Sequence, residues 1–304
     1  MRCLILLATF NGVKYLDQQL SSCAAQGVSQ IDVLVSDDGS RDGTLDLVKA
    51  WQAKWAHGAF EIVSGPRDGF AENFRHLILS ASQGYDLYAY CDQDDVWHAD
   101  KLAVAGEKLE PCGDSAAVYC GRTRIMSENG YFEGHSPLMA RPPAFKNALF
   151  QSLAGGNTMV LNAAAMALVR KVSANCRFVS HDWWTYIWIT GVGGTVIYDP
   201  TPKINYRQHP GNLIGKNSGF GARLRRAAML LTNRYRSWIE LNLSAIEQNR
   251  EMLSIENRQL LDTLLHARAH SGLRFARELA RAKVYRQSQL GTLSLYVGAI
   301  SGRI

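Results

Sequence analysis

The sequence lacks an apolar stretch long enough to cross a membrane. No segment reaches the roughly 18–20 apolar residues that a spanning helix requires. The apolar run from Cys3 to Phe10 has the character of a signal-peptide start, but Asn11-Gly12 ends it early and no clear cleavage site of small residues follows. We therefore interpret this run as a buried first strand.

Cysteine pairs of the C-x-x-C type are also absent. The six cysteines lie far apart, and several sit inside apolar runs, where a free thiol behaves as a small hydrophobic side chain. This usage is typical of a reducing compartment and predicts a cytoplasmic protein, although the sequence alone leaves a disulfide open. An apolar content of 47% with a charged content of 20% excludes a disordered chain.

Proline is missing from the C-terminal third of the chain, since all eight prolines lie at or before Pro210. The charge changes at nearly the same place. Residues 1–220 carry 19 Lys and Arg against 21 Asp and Glu, whereas residues 221–304 carry 14 against 6, a net charge of +8. This boundary predicts two regions, a domain over 1–215 and a basic helical region over 216–304.

Strand and helix signals alternate through the N-terminal region, where short apolar runs are followed by stretches with helical spacing of apolar residues. The predicted strands are Cys3–Leu7, Ile31–Val35, Phe60–Val63 and Leu87–Cys91, and the predicted helices begin near Leu16, Thr44, Phe70 and Trp97. This alternation indicates an α/β fold with a Rossmann-like, mostly parallel sheet flanked by helices. Because ligands bind beyond the carboxyl ends of such strands, we expect the polar clusters that follow the strands to converge.

Helical spacing of apolar residues continues beyond Gly221. From Leu224 to Ala245 it predicts a long amphipathic helix, and a second helical stretch is predicted from about Ile255 to Tyr285. Both stretches are rich in arginine. The uncharged segment Gln287–Gly302 is too short and too polar to be predicted as a membrane span.

The sharpest chemical signal is the acidic sequence Asp92-Gln93-Asp94-Asp95, which directly follows the predicted strand Leu87–Cys91. Three carboxylates in four residues repel one another, and a hard divalent cation relieves that repulsion. Mg²⁺ typically takes one or two carboxylates together with substrate phosphates. The alternative is a solvated acidic turn, or a cap for the helix that follows.

A second polar cluster, Asp37-Asp38-Gly39-Ser40, follows the strand Ile31–Val35. An acidic residue in this position can bind ribose hydroxyls, and Gly39 permits a close approach of the backbone. The alternative is an ordinary turn. The sequence contains neither G-x-G-x-x-G nor G-x-x-x-x-G-K-[ST], which argues against a nicotinamide dinucleotide and against a Walker-type nucleotide site.

In their order and spacing, these motifs resemble those of the family-2 inverting glycosyltransferases of GT-A fold. The resemblance covers about residues 2–215, and its last two segments are most similar to the bacterial rhamnosyltransferase branch. Six segments carry it: Ala8–Gly12, Val35–Thr44, Cys91–Trp97, Ala154–Thr158, His181–Trp184 and Tyr206–His209.

The resemblance implies a metal-dependent enzyme that transfers a sugar from a nucleotide donor to a hydroxyl of a lipid-linked or cell-surface glycan. The rhamnosyltransferase branch implies dTDP-rhamnose as the donor, and a UDP-sugar is the alternative. Asp182 would be the catalytic base, and Asp94 with Asp92 would bind Mg²⁺ or Mn²⁺ at the diphosphate. The donor contacts that the resemblance implies are Thr9, Asn11, Asp37, Asp38, Asp92 and Arg207, with Gly69 and Asn73 beside the divergent turn Pro66–Gly69.

Four further side chains are open to two interpretations. Trp183 and Trp184, which share helical spacing with Trp188, are either an acceptor-binding platform or part of the core, where tryptophans at this spacing more often lie. His209 is either a third metal ligand or a loop histidine before Pro210. Arg207 either reaches a phosphate or pairs with a local carboxylate.

The basic region over residues 221–304 predicts peripheral contact with the inner face of the cell membrane, where a lipid-linked acceptor would be presented. The alternative is that its apolar stripe packs on the catalytic domain or on a second subunit, which would make the chain a homo-oligomer. The net charge of +6 also suggests a second function, non-catalytic binding of nucleic acid. The acidic loops of the N-terminal region, and the lack of a binding motif, argue against that function.

Overall fold

A seven-stranded sheet forms the centre of the computed structural model, which describes residues 1–210 and 233–304. Its strands are β1 (Arg2–Thr9), β2 (Gln30–Asp37), β3 (Phe60–Ser64), β4 (Leu87–Cys91), β6 (Ala117–Gly121), β9 (Val160–Asn162) and β10 (Thr195–Asp199), in the spatial order β10-β6-β9-β4-β1-β2-β3. β9 pairs antiparallel with both of its neighbours, and the other pairs are parallel. The mostly parallel sheet predicted from the sequence is thus confirmed.

A smaller sheet of four strands lies beside the first. Its strands are β5 (Val96–Trp97), β7 (Arg124–Ser127), β8 (Phe132–His135) and β11 (Ile204–Gln208), in the order β5-β11-β7-β8. β5 continues directly from the acidic loop after β4, and it pairs antiparallel with β11. The small sheet therefore joins the acidic loop to the chain segment that precedes residue 210.

Helices cover both faces of the central sheet. They are α1 (Val13–Ala24), α2 (Thr44–Lys54), α3 (Phe70–Ser80), α4 (Lys101–Leu109), α5 (Phe145–Ala148), α6 (Ala163–Ser173), α7 (His181–Gly191), α8 (Asn233–Glu247), α9 (Ile255–His270), α10 (Gly272–Arg281) and α11 (Gln289–Ile300). None of the helices in the described ranges is both long enough and apolar enough to cross a bilayer.

Strand β1 shows why the sheet is buried on both faces. Its side chains alternate, with Leu4 and Leu6 in one apolar cluster and Ile5 and Leu7 in the other. The second cluster packs against α1, α2 and α4, and the first packs against α3, α6 and α7. Burial of both faces explains why the parallel strands read as continuous apolar runs rather than as alternating ones.

The C-terminal helices share a core with the central sheet. Tyr235 and Ile239 of α8 and Leu261 of α9 lie in the same apolar cluster as Trp188 of α7. The boundary predicted between residues 215 and 216 lies outside the described residues, as does the part of the predicted amphipathic helix before Asn233.

Two predicted helices have different bounds in the structure. The helix expected from Trp97 begins at Lys101, because Trp97 belongs to β5 and pairs with Ile204. The stretch expected to be helical to Tyr285 breaks at Ser271, whose extended backbone ends α9 and whose Oγ accepts a hydrogen bond from the backbone N–H of Arg274 at 3.2 Å. Ser271 thereby caps a separate helix, α10.

Candidate active site

The carboxyl ends of β1 and β2 carry the first polar cluster, and the parallel register aligns Thr9 with Asp37. The Thr9 hydroxyl donates a hydrogen bond to Asp37 Oδ1 at 2.9 Å. Asp37 also accepts from the Ser40 hydroxyl at 2.6 Å and from the Ser40 backbone N–H at 2.9 Å. Two of the residues predicted to bind the donor thus meet, and their contacts hold the turn after β2.

Asn11 supports the same turn from the loop after β1. Its backbone is in the left-handed region, with φ of 47°, which asparagine tolerates better than most residues. Its side-chain oxygen accepts from the Arg41 backbone N–H at 2.8 Å, and its own N–H donates to Ser40 Oγ at 2.9 Å. The loops after β1 and β2 are therefore tied into one unit.

The next loop, residues 65–69, is held by Asp38. This carboxylate accepts from the Arg67 N–H at 2.6 Å and from the Gly69 N–H at 3.2 Å. Asn73 is buried and exchanges hydrogen bonds with Ser36, its amide donating to the Ser36 carbonyl at 3.0 Å and its oxygen accepting from the Ser36 hydroxyl at 2.6 Å. Asn73 therefore ties the start of α3 to the end of β2.

The three carboxylates of the acidic loop after β4 have different surroundings. Asp95 is fully buried and accepts from the Asn157 amide at 2.6 Å and from the Arg207 backbone N–H at 3.0 Å. Burial and the charges of Asp94 and Asp92 raise the pKa of Asp95 well above its ordinary value. Asp95 is thus a structural residue, whereas Asp92 and Asp94 remain half-buried at the edge of the sheet.

Lys101 is a buried cation beneath the acidic loop that no sequence motif singled out. Its Nζ donates to the Asn157 carbonyl at 2.8 Å, and the side chain of the same Asn157 binds Asp95. Burial lowers the pKa of Lys101 to about 8. The helical spacing could have revealed it, because Lys101 lies on the same face of α4 as the buried Ala105 and Leu109. A lysine at a core position is rarely buried without a polar partner.

Arg207 fixes the acidic loop rather than projecting from it. Its Nε donates to the Asp94 carbonyl at 3.0 Å, its Nη1 donates to the Glu128 carbonyl at 2.8 Å, and its Nη2 binds Gln18 Oε1. The side chain is buried. These contacts do not favour the expectation that Arg207 binds the donor, because the guanidinium is already engaged by the protein on three sides.

His209 lies beside Asp94, with 2.8 Å between its Nε2 and Asp94 Oδ2. Its ring packs against Tyr15 with the ring centroids 4.8 Å apart. The Tyr15 hydroxyl in turn donates to Glu128 Oε1 at 2.7 Å. The two residues predicted to share a metal are therefore brought together, and Tyr15 fixes the orientation of the imidazole.

The donor set around Asp94 is suited to a hard divalent cation. Burial and the neighbouring carboxylates of Asp94 and Asp182 raise the pKa of Asp92 to about 7, so negative charge is concentrated here. Within residues 1–210 and 233–304, no group of three or more His, Cys, Asp and Glu side chains is arranged to hold a metal by itself. Two protein ligands are nevertheless sufficient for Mg²⁺ where substrate phosphates and waters complete the coordination.

Asp182 occupies the first turn of α7. It is largely buried and accepts a hydrogen bond from the Ser152 hydroxyl at 3.1 Å. Its charge contributes to the raised pKa of Asp92, so the base predicted from the sequence and the acidic loop lie close together.

His181, the neighbour of Asp182 in α7, is, after Lys101, a second residue whose role the sequence did not reveal. Its ring stacks on Phe74 with a centroid distance of 3.5 Å and meets the edge of Tyr90 at 4.7 Å. Neither ring nitrogen has a hydrogen-bond partner among the described residues, and burial lowers the pKa of His181 to about 4. A Cβ at Gly156 would lie 1.9 Å from its Nε2, so Gly156 is required for the ring to sit here.

Trp183 and Trp184 pack in the core, which is the alternative that the sequence left open. Trp184 is fully buried and donates to Ser173 Oγ at 3.1 Å, and Trp183 donates to the Ala148 carbonyl at 2.6 Å. Because neither ring presents a face to solvent, the structure favours core packing over an acceptor-binding platform for both tryptophans.

Comparisons with known proteins agree with this architecture. The sequence model of glycosyl transferase family 2 matches residues 4–178. The dTDP-rhamnosyl transferase RfbG of Shigella flexneri is 26% identical over 263 residues, which cover 84% of this chain and 88% of the relative.

Two solved structures show the same GT-A fold. TarS of S. aureus in complex with UDP-GlcNAc has a TM-score of 0.54 at 15% identity, with 100% of this chain and 92% of that chain covered. The mannosyltransferase PcManGT of Pyrobaculum calidifontis, in complex with GDP-Man and Mn²⁺, has a TM-score of 0.52 at 16% identity, covering 98% and 85%. With more than half of its length matched by the family's sequence model, the chain belongs to glycosyl transferase family 2.

Proposed function

We propose that this glycosyltransferase moves rhamnose from dTDP-rhamnose to a hydroxyl of a lipid-linked or cell-surface glycan, with inversion at the anomeric carbon. The observation that carries the proposal is that α7, which holds Asp182 in its first turn, packs on β4, the strand that leads into the acidic loop, with 3.0 Å between the Tyr90 and Thr185 hydroxyl oxygens. The charge of Asp182 accordingly contributes to the raised pKa of Asp92. The choice of sugar is supported by the similarity to RfbG over 84% of the chain.

In the proposed reaction, Asp182 is the general base. Its carboxylate takes the proton of the acceptor hydroxyl while that oxygen forms a bond to the anomeric carbon. The bond from this carbon to the diphosphate oxygen breaks, and its electron pair leaves with the nucleoside diphosphate. Attack from the face opposite the leaving group inverts the configuration, and the Ser152 hydroxyl keeps Asp182 aimed at the acceptor.

The donor would be held at the carboxyl ends of β1, β2 and β4. The tied loops that contain Thr9, Asn11, Asp37 and Asp38 would surround the pyrimidine and ribose. Asp94 and Asp92, with His209 beside them, would hold Mg²⁺ or Mn²⁺ at the diphosphate. A bound cation supplies charge stabilisation for the departing diphosphate.

The acceptor and location of the enzyme follow from the same proposal. We assign the catalytic domain to residues 1–215. If the acceptor is a lipid-linked glycan, this domain works at the inner face of the cell membrane. We assign the peripheral contact with the membrane to residues 221–304.

The test is transfer with a panel of sugar nucleotides, with products identified by mass spectrometry and their anomeric configuration by NMR. We expect rhamnosylated product from dTDP-rhamnose, and product from a UDP-sugar alone would replace the proposed donor. Asp182→Asn should lower turnover by about 10²–10⁴-fold while donor affinity is retained. The matched control is Asp262→Asn, the same change at an exposed site on α9. Near-normal turnover by Asp182→Asn would remove this residue from the mechanism.

A further inference from the structure

The last helix, α11, presents an unpartnered apolar face. Its inner side is buried through Leu295 and Ala299, and the helix contains no charged residue. Four large apolar side chains are exposed at the spacing of one helix face, and Leu293 among them is 61% exposed. These four are Leu290, Leu293, Val297 and Ile300.

Leu273 at the start of α10 extends this surface. The first residue of α10, Gly272, packs so closely on the end of α11 that a Cβ there would lie 2.4 Å from the Ala299 carbonyl oxygen and 2.5 Å from that of Ile300. The next residue, Leu273, thus follows directly on this contact with the end of α11, and it is 70% exposed. We name Leu273, Leu290, Leu293, Val297 and Ile300 together the apolar face. Single exposed apolar residues are ordinary, but a grouped set usually marks an interaction site.

The charges on the chain segment that carries the apolar face are almost all positive. Residues 272–304 contain six Lys and Arg and a single acidic residue, Glu278, which is paired with Arg281 at 2.7 Å. Arg274, Arg277 and Lys283 are exposed. Two copies of this chain that met through the apolar face would bring like charges together, whereas an anionic surface would be attracted.

We propose that the apolar face is a docking surface for a lipid bilayer that contains anionic headgroups. Exposed leucines on an uncharged helix can enter the interface between headgroups and acyl chains, while the surrounding cations bind the headgroups. This inference rests on the proposed function for its purpose, since a lipid-linked acceptor lies at such a surface.

The attachment of α11 connects the docking surface to the acceptor side of the active site. The backbone N–H of Gln287, just before α11, donates to Gln151 Oε1 at 2.8 Å. Ser152, the next residue after Gln151, donates to the proposed base Asp182. A bilayer on the apolar face would thus be joined to the base through a short, hydrogen-bonded segment.

Vesicle co-sedimentation of the full chain tests the proposal without donor or acceptor, so its failure is distinguishable from failure of the proposed reaction. The vesicles are phosphatidylcholine alone or phosphatidylcholine mixed with phosphatidylglycerol. The variant Leu293→Gln with Val297→Gln removes two exposed side chains from the face. The matched control, Leu138→Gln with Ile255→Gln, makes the same kind of change at exposed apolar residues elsewhere.

We expect the unmodified chain and the control to bind the mixed vesicles at low salt, and the face variant to bind them at least about tenfold more weakly. Arg274→Gln with Arg277→Gln should weaken binding to mixed vesicles and leave the low binding to phosphatidylcholine unchanged. Equal binding by the face variant and the control overturns the proposal. So does a dimer in analytical ultracentrifugation that the face variant converts to a monomer with vesicle binding intact, because a second copy would then be the occupant.

Discussion

Replacing Arg207 by alanine separates two roles for this residue, support of the acidic loop and direct binding of donor phosphate. The guanidinium donates to the Asp94 and Glu128 carbonyls and to Gln18, and the side chain is buried. We therefore expect Arg207→Ala to destabilise the fold itself, in addition to loosening the loop that carries Asp94.

The size of the effect follows from the contacts that are lost. A hydrogen bond to a charged group contributes about 1.5–3 kcal/mol, but carbonyls near the surface regain water when the partner is removed. Three such bonds at a half-buried loop give an expected loss of about 3 kcal/mol in the free energy of unfolding. At an m value of about 3 kcal/mol per molar urea, the midpoint falls by about 1 M.

The assay is urea unfolding followed by fluorescence, together with nucleotide binding measured by calorimetry in the presence of Mn²⁺. Arg207→Lys is the informative partner, because lysine keeps the charge but not the three-way fork. We expect Arg207→Lys to lose a large part of the stability as well. An unchanged urea midpoint in Arg207→Ala, combined with a loss of nucleotide affinity, would refute a structural role and restore the phosphate contact.

Three further perturbations test the site. Asp94→Ala should abolish Mn²⁺-dependent nucleotide binding in calorimetry. In the unmodified chain, Mn²⁺ affinity should fall by up to about tenfold per pH unit below 7, because Asp92 must lose a proton with a pKa of about 7 before it binds the cation. A Mn²⁺ affinity that does not change with pH would contradict this. Burial lowers the pKa of His181 from 6.5 to about 4, so the neutral ring contributes fully to stability above pH 6.5 and this contribution is lost as the pH falls towards 4. In urea titrations the free energy of unfolding should fall by about 3 kcal/mol over this range. His181→Phe should not show this fall. Gly156→Ala should cost about 1–3 kcal/mol and reduce turnover because its Cβ displaces the His181 ring, whereas Gly27→Ala, with no atom within 4 Å of its Cβ, should be nearly neutral in thermal melts.

The order of elements in the catalytic domain was readable from the sequence because the signals are local. The apolar run Leu87–Cys91 is a strand with the predicted bounds, and the helix expected from Thr44 begins there. Parallel strands must place their carboxyl ends at one edge, so the convergence of the clusters after β1, β2 and β4 also followed from the order of elements.

Only the tertiary structure shows which side chains of those clusters are engaged in hydrogen bonds within the protein. Asp95 and Asp94 are adjacent in sequence, yet Asp95 is buried against Asn157 and Arg207, and Asp94 meets His209. These partners lie 62–115 residues away along the chain, so no local pattern distinguishes the two carboxylates.

The same physical reason explains the tryptophans and the C-terminal helices. Helical spacing indicates that Trp184 faces one side of α7, but only tertiary packing, such as that of Phe178 and Ser173 against Trp184, shows that α7 is buried on every side. The basic, apolar composition beyond residue 220 was plain in the sequence. Its division into buried residues such as Leu295 and exposed ones such as Leu293 depends on which face of α11 packs on α10, and that is set by contacts between helices rather than within them.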